Sequence, residues 1–121
     1  MLRPLAIVFL LLVTAACSNE TTPALDADEQ AELEAAFEGA TMTPRRQAQW
    51  AHSCALCHVR GEGGAPRVGD QLAWKERVAA GNAWLLKHTL EGKGQMPPLG
   101  YCMDCEASDF AAMINMMSGQ K

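Results

Sequence analysis

Apolar residues follow three patterns along this chain. Near the start, Leu5 to Val13 is an unbroken apolar run. Farther on they recur at helical spacing: Leu33 with Phe37, Trp50 with Cys54, and Phe110 with Ile114 and Met117. Steps of three and four residues bring side chains to one helix face. Between these segments lie stretches without a period, rich in Gly and Pro, at residues 61–66 and 91–98. No segment alternates as a strand does, so the pattern predicts an all-α domain.

Cap residues set the predicted helix ends. Asp26 with Glu29 resembles a capping box and predicts a short acidic helix over Ala27 to Glu38, before Gly39. Thr43-Pro44 supplies an N-cap and the residue best tolerated in the first turn. The helix it starts carries Trp50 and Cys54 and is expected to end near Gly61. Asp70 predicts a helix from Gln71 to Ala80 ended by Gly81, Asn82 another from Ala83 to Glu91 stopped by Gly92, and a last helix covers Ala107 to Met117. The middle helices bring Leu72, Trp74, Val78, Trp84, Leu85 and Leu86 to the core. The Phe110 stripe is expected to pack on the Trp50 face.

The first apolar run changes meaning once its flanks are read. Arg3 precedes it and Thr14-Ala15-Ala16-Cys17 follows it, the layout of a signal peptide. It is too short to span a membrane, which needs about 20 residues. Small residues ending in a cysteine resemble the lipobox of bacterial lipoproteins, with residues 1–16 removed and Cys17 becoming the lipidated N-terminus. Cleavage after Ala16 without lipidation, giving a soluble periplasmic protein, is the alternative.

Charge divides what remains. Residues 18–42 carry seven acids and no Lys or Arg, whereas residues 43–121 carry nine bases against seven acids. The expected organisation is an acidic linker over 17–42, anchored by lipid, and a mildly basic domain over 43–121. As a flexible, solvated tether the linker would hold the domain roughly 25–30 Å from its anchor; a short helix acting as a spacer off the membrane is the other reading. No nucleic-acid partner is expected.

The chemistry centres on Cys54-Ala55-Leu56-Cys57-His58, a C-x-x-C-H run that reads as a covalent attachment site for a c-type haem. On a helix Cys54, Cys57 and His58 share one face, so one turn can hold the macrocycle by two thioethers and supply an imidazole to its iron. A zinc half-site needs a second pair of ligands, and a redox dithiol belongs beside a βαβ pattern, which is not found. A haem-ligating histidine usually gives its other N–H to an acceptor, and the Pro66 carbonyl is the candidate. Trp74 could donate its indole N–H to a haem propionate, with plain packing as the alternative.

Residues 91–98 fix a single sulfur, Met96, ahead of Pro97 and Pro98. A thioether is a soft ligand, and Met96 is expected to fill the second axial position. Met42, Met103, Met113, Met116 and Met117 are assigned to core or surface, and His52 or His88 would instead give bis-histidine iron. Cys102 and Cys105 remain as a natural pair in an oxidising compartment, with a redox-active dithiol as the alternative.

The attachment run, the Gly64-Ala65-Pro66 turn, Met96-Pro97-Pro98 and the Cys102-Met103-Asp104-Cys105 pair together resemble cytochrome c5, a family of class I c-type cytochromes. The likeness covers Arg45 to the C-terminus. It implies a small all-α fold wrapped around one covalently bound haem and a role as an electron carrier. Both axial positions being filled leaves no site for a substrate. The protein is therefore expected to carry single electrons between transient redox partners, such as a membrane oxidoreductase or terminal oxidase. Arg45, Arg60, Arg67, Lys75 and Lys93 would steer them. A small peroxidase or a gas sensor would need a labile or vacant sixth position.

Overall fold

The computed structural model describes residues 24–120, so the predicted leader and Cys17 lie outside the described residues. The chain forms α1 (Ala27–Ala35), α2 (Pro44–His52), α3 (Ala55–His58), α4 (Gln71–Ala79), α5 (Asn82–Glu91) and α6 (Ala107–Ser118). Short 3-10 turns lie at Glu62–Gly64 and Pro98–Tyr101. Among the described residues there is no strand, only an isolated bridge between Lys93 and Met96.

Most helices start where their caps put them. Asp26 accepts from the Glu29 amide at 2.8 Å, Thr43 from the Arg46 amide at 3.2 Å and Asp70 from the Ala73 amide at 3.1 Å. Each bond satisfies one of the orphan amides of a first helical turn. Asn82 is the first residue of α5 and not its cap, because Gly81 before it takes the turn. α6 opens with a capping box between Glu106 and Asp109.

The long helix expected from Thr43 to Gly61 is broken. At Ser53 the backbone leaves helical angles, with φ −131° and ψ −92°. The Ser53 hydroxyl donates back to the Gln49 carbonyl at 2.7 Å, closing the end of α2. The attachment run therefore sits on its own turn, α3, freed to point differently from α2.

The core is built on α4, α5 and α6. Trp74, Leu85, Leu86, Phe110, Met113, Ile114 and Met117 are buried in one cluster, with Trp50 packed against it. Leu72 is a correction: in the first turn of α4 it points outward and is 85% exposed, because Trp74 takes the buried face.

α2 and α6 cross at a buried carboxylate. Asp109 accepts from Arg46 Nε at 2.8 Å and from Arg45 Nη1 at 3.2 Å, while its side chain is only 3% exposed. Burial by itself would raise the Asp109 pKa, but the Arg46 hydrogen bond, the Glu106 amide and the Arg45 charge outweigh it and hold it low. Arg45, expected among the free steering charges, is engaged in this clamp.

The acidic segment is docked over its helical part. α1 ends at Ala35, three residues earlier than predicted, and packs on α5, while Leu33 and, just past the helix end, Ala36 and Phe37 rest against the core cluster. Glu34 accepts from the Ala83 amide at 3.0 Å, and Glu29 pairs with Lys87 at 2.5 Å.

Candidate functional site

The attachment turn is shaped by its own backbone. Cys54 precedes α3 with helical angles, and the His58 amide donates to the Cys54 carbonyl at 2.9 Å. One turn thus presents Cys54, Cys57 and His58 to a single cavity of about 400 Å³. Burial raises the Cys54 pKa, more than the Ser53 hydroxyl lowers it, so Cys54 is a neutral thiol until something is bonded to it.

His58 is buried and oriented. Its Nδ1 lies 2.8 Å from the Pro66 carbonyl oxygen, the acceptor predicted for it. With the proton on Nδ1, that atom donates and Nε2 is left with its lone pair for a metal. Burial lowers the His58 pKa, the Pro66 contact opposes this, and the Arg77 charge adds to the lowering. A neutral imidazole is the form that ligates.

Trp74 stacks on the His58 ring, centroids 5.9 Å apart and planes 21° from parallel. Its indole N–H donates to the Arg67 carbonyl at 2.8 Å. The predicted bond to a propionate is thereby corrected: the donor is engaged, and the residue braces the histidine.

The methionine loop supplies another part of the cavity wall. The Lys93 amide donates to the Met96 carbonyl and the Met96 amide to the Lys93 carbonyl, both at 3.0 Å. This pair of hydrogen bonds makes residues 93–96 a closed turn that sets Met96 into the cavity wall. The chain then coils through Leu99 (φ 60°), Gly100 (φ 52°) and Tyr101 (φ 67°), two of them non-glycine residues with positive φ. Gly100 lies beside the Met96 methyl group, where a Cβ would stand 3.5 Å from Cε and 3.9 Å from Cys54 Sγ. The two halves of the site therefore meet across one space.

Beyond the loop, Cys102 and Cys105 stand with their Cα atoms 5.4 Å apart and their sulfurs within bonding distance. The Cys102 amide donates to the Leu99 carbonyl at 2.9 Å, which ties the pair to the coiled segment.

Other predicted ligands are sorted by position. His88 lines the cavity with its edge on Trp84, 4.1 Å between centroids; burial lowers its pKa first and Lys93 adds to this. His52 is exposed and lines a separate cleft. Met113 and Met117 also line the cavity, with Met113 Sδ 3.9 Å from Cys54 Sγ, whereas Met103 is 78% exposed and does not. Arg77 was missed by sequence reasoning. It lines the cavity one turn after Trp74 on α4, and the i, i+3 spacing was the available signal.

These residues fit a haem. The cavity volume falls in the roughly 300–1,000 Å³ range of cofactor sites. Its donor set is two unpaired thiols, one buried imidazole and a thioether on apolar walls, and soft sulfur with imidazole suits iron in a porphyrin.

Residues 41–117 match the family described as cytochrome C oxidase, cbb3-type, subunit III. Cytochrome c5 of Azotobacter vinelandii is 46% identical over 68 residues, covering 54% of this chain and 82% of that protein. Cytochrome c5 of Ectopseudomonas mendocina is 41% identical over 71 residues, covering 57% of this chain and 82% of that protein. Among solved structures, a chain from the crystal structure of an electron transfer complex of nitrite reductase with cytochrome c is 36% identical with a TM-score of 0.57. That likeness covers 67% of this chain and 100% of the other.

Proposed function

The chain belongs to the class I c-type cytochromes of the cytochrome c5 family, all-α electron-transfer proteins around one covalent haem c, and on that premise we propose a periplasmic carrier of single electrons with His58 and Met96 as its iron ligands. The observation that supports the ligand pair most directly is that both side chains line one cavity from two separate segments, α3 and the 93–96 turn. The haem, when bound, supplies a one-electron iron couple whose potential is raised by His/Met ligation. Cys54 and Cys57 would hold it, the Pro66 carbonyl and Trp74 keep His58 in one orientation, and the 93–96 turn would present Met96 to it. With both axial positions taken, the protein makes no bonds to a substrate and is not an enzyme.

The test is the absorption spectrum of the ferrous and ferric holoprotein with and without carbon monoxide. Wild type is expected to show the near-infrared iron–sulfur band and to exclude carbon monoxide. Met96→Ala should lose the band, drop in potential and bind carbon monoxide. An unchanged Met96→Ala spectrum would move the ligand to Met113 or Met117, which line the cavity. Carbon monoxide binding by wild type would instead favour the peroxidase or gas-sensor reading.

Cys17 is the lipidated N-terminus in this reading, and Cys102–Cys105 a structural disulfide. Among the described residues no helix is long and apolar enough to cross a membrane. Cys17→Ala should move the holoprotein from the membrane fraction to the soluble periplasm, and a wild type that is already soluble would sink the anchor.

The partners are transient redox proteins. The nitrite reductase complex of the solved neighbour makes a reductase of that kind one candidate acceptor. Arg60, Arg67, Lys75 and Lys93 are the exposed cations left to steer it.

A further inference from the structure

We propose that Gly92 is a positioning residue for Met96: its missing side chain is the space into which the Met96 carbonyl fits. This rests on Met96 as the axial ligand. Gly92 ends α5 with φ 86° and ψ 159°, a backbone region open essentially to glycine alone. A Cβ there would stand 2.8 Å from the Met96 carbonyl oxygen, 3.0 Å from the Pro98 nitrogen and 3.1 Å from Pro98 Cδ. All three are backbone or ring atoms, which cannot swing aside as the end of a flexible side chain would.

The loop has no easy direction in which to yield. The Met96 carbonyl is also the acceptor of the Lys93 amide at 3.0 Å, and the Gly100 amide holds the Pro97 carbonyl at 3.0 Å. Two prolines in succession fix φ on the far side. A displacement of a few tenths of an ångström must therefore pass into the Met96 backbone, and from there to its sulfur. Remote shifts of this kind are known to carry large costs where geometry sets reactivity.

Gly81 supplies the control. It stands at the other end of α5, with φ 100° and ψ 162°, the same glycine-only region, but a Cβ there would meet nothing within 4 Å. Gly81→Ala and Gly92→Ala therefore carry like backbone strain and differ in the contact alone.

The experiment compares the two variants as ferric holoproteins, reading the near-infrared iron–sulfur band and the rate of imidazole entry. Gly81→Ala is expected to lose stability but keep the band and the wild-type entry rate. Gly92→Ala should weaken or lose the band and admit imidazole about tenfold faster. Equal bands and equal entry rates in the two variants overturn the proposal. If Gly92→Ala yields no holoprotein, Pro98→Ala reads the same contact from the other side, since it removes the ring carbon resting against Gly92 and puts only a backbone N–H in its place. Faster imidazole entry there supports the proposal, and an unchanged rate overturns it. Met96→Ala keeps the two readings apart: if it retains the band, the ligand assignment fails whatever Gly92 does.

Discussion

The α2–α6 crossing and the methionine loop are held in opposite ways. At the crossing, two helices with ordinary backbone angles close on Asp109, a buried carboxylate bonded by Arg45, Arg46 and the Glu106 amide. In the loop, residues 92–101 include five with positive φ, namely Gly92, Gly94, Leu99, Gly100 and Tyr101, and backbone hydrogen bonds do most of the holding. The first is a frame whose energy lies in burial and charge. The second is a conformation over-determined by its ends, as strained segments near functional sites are. A change in the frame should therefore appear as lost stability with an unaltered ligand, and a change in the loop as a loosened ligand on an intact fold.

The largest expected effect breaks the frame. Asp109→Ala leaves two guanidinium groups facing a buried gap and removes the capping box of α6, at a cost of about 3 kcal/mol. Chemical denaturation should register that loss while the iron–sulfur band of the folded variant stays as in wild type. Acid sharpens the point. Because the folded Asp109 pKa is lowered, its contribution is present above the unfolded value of about 3.9 and is lost as pH falls through the folded value. Wild type should lose stability faster than Asp109→Ala on that acid limb, and parallel acid limbs would mean that the carboxylate contributes little.

The next effect breaks the loop. Cys102→Ser with Cys105→Ser opens a closed ring so short that its loop entropy accounts for only about 2 kcal/mol. The greater change is local, since the Cys102 amide ties the pair to Leu99 and through it to the Gly100 turn beside Met96. The double variant should fold, with a lower potential and faster entry of carbon monoxide or imidazole. Equal entry rates would confine the pair to a stabilising role. A thiol–disulfide couple that titrates reversibly near the glutathione poise would favour the dithiol reading instead.

The same contrast separates the features that the amino-acid sequence reveals from those it hides. Features carried by neighbours in the chain are legible: the Cys54–His58 turn, the Asp26, Thr43 and Asp70 caps, and the proline-stiffened Met96 loop. The Pro66 carbonyl is placed correctly because a short Gly-rich turn can return only so far. Features that depend on distant partners are not legible. Asp109 reads as one more surface acid until Arg45 and Arg46 arrive from another helix. Trp74 has an indole donor in any reading, but only the folded Arg67 carbonyl shows where it goes. Leu72 shows the limit of a periodicity argument, which tells which residues share a face and not which face is covered. The break at Ser53 is hidden because Ser53 reads as one more helical position between Trp50 and Cys54, and its hydroxyl turns back to Gln49 only in the fold.

The smallest expected effect concerns α1, which belongs to neither region. Phe37 is half-buried and packs against the core cluster from the α1 side, so Phe37→Ala should cost about 1 kcal/mol, well short of the 3–5 kcal/mol of a fully buried phenylalanine. Its position separates it from the ligand, since neither Phe37 nor any residue of α1 lines the cavity. Potential, near-infrared band and imidazole entry should all match wild type. What should change is the protection of α1 itself: its amides, held only by docking on α5 and too few to form a stable helix alone, should exchange with solvent faster in the variant, while the amides of α6 keep their wild-type rates. Loss of protection in both helices together would mean that α1 is part of the frame after all, and unchanged exchange in α1 would mean that Leu33 and the Glu34 bond to Ala83 dock it without Phe37.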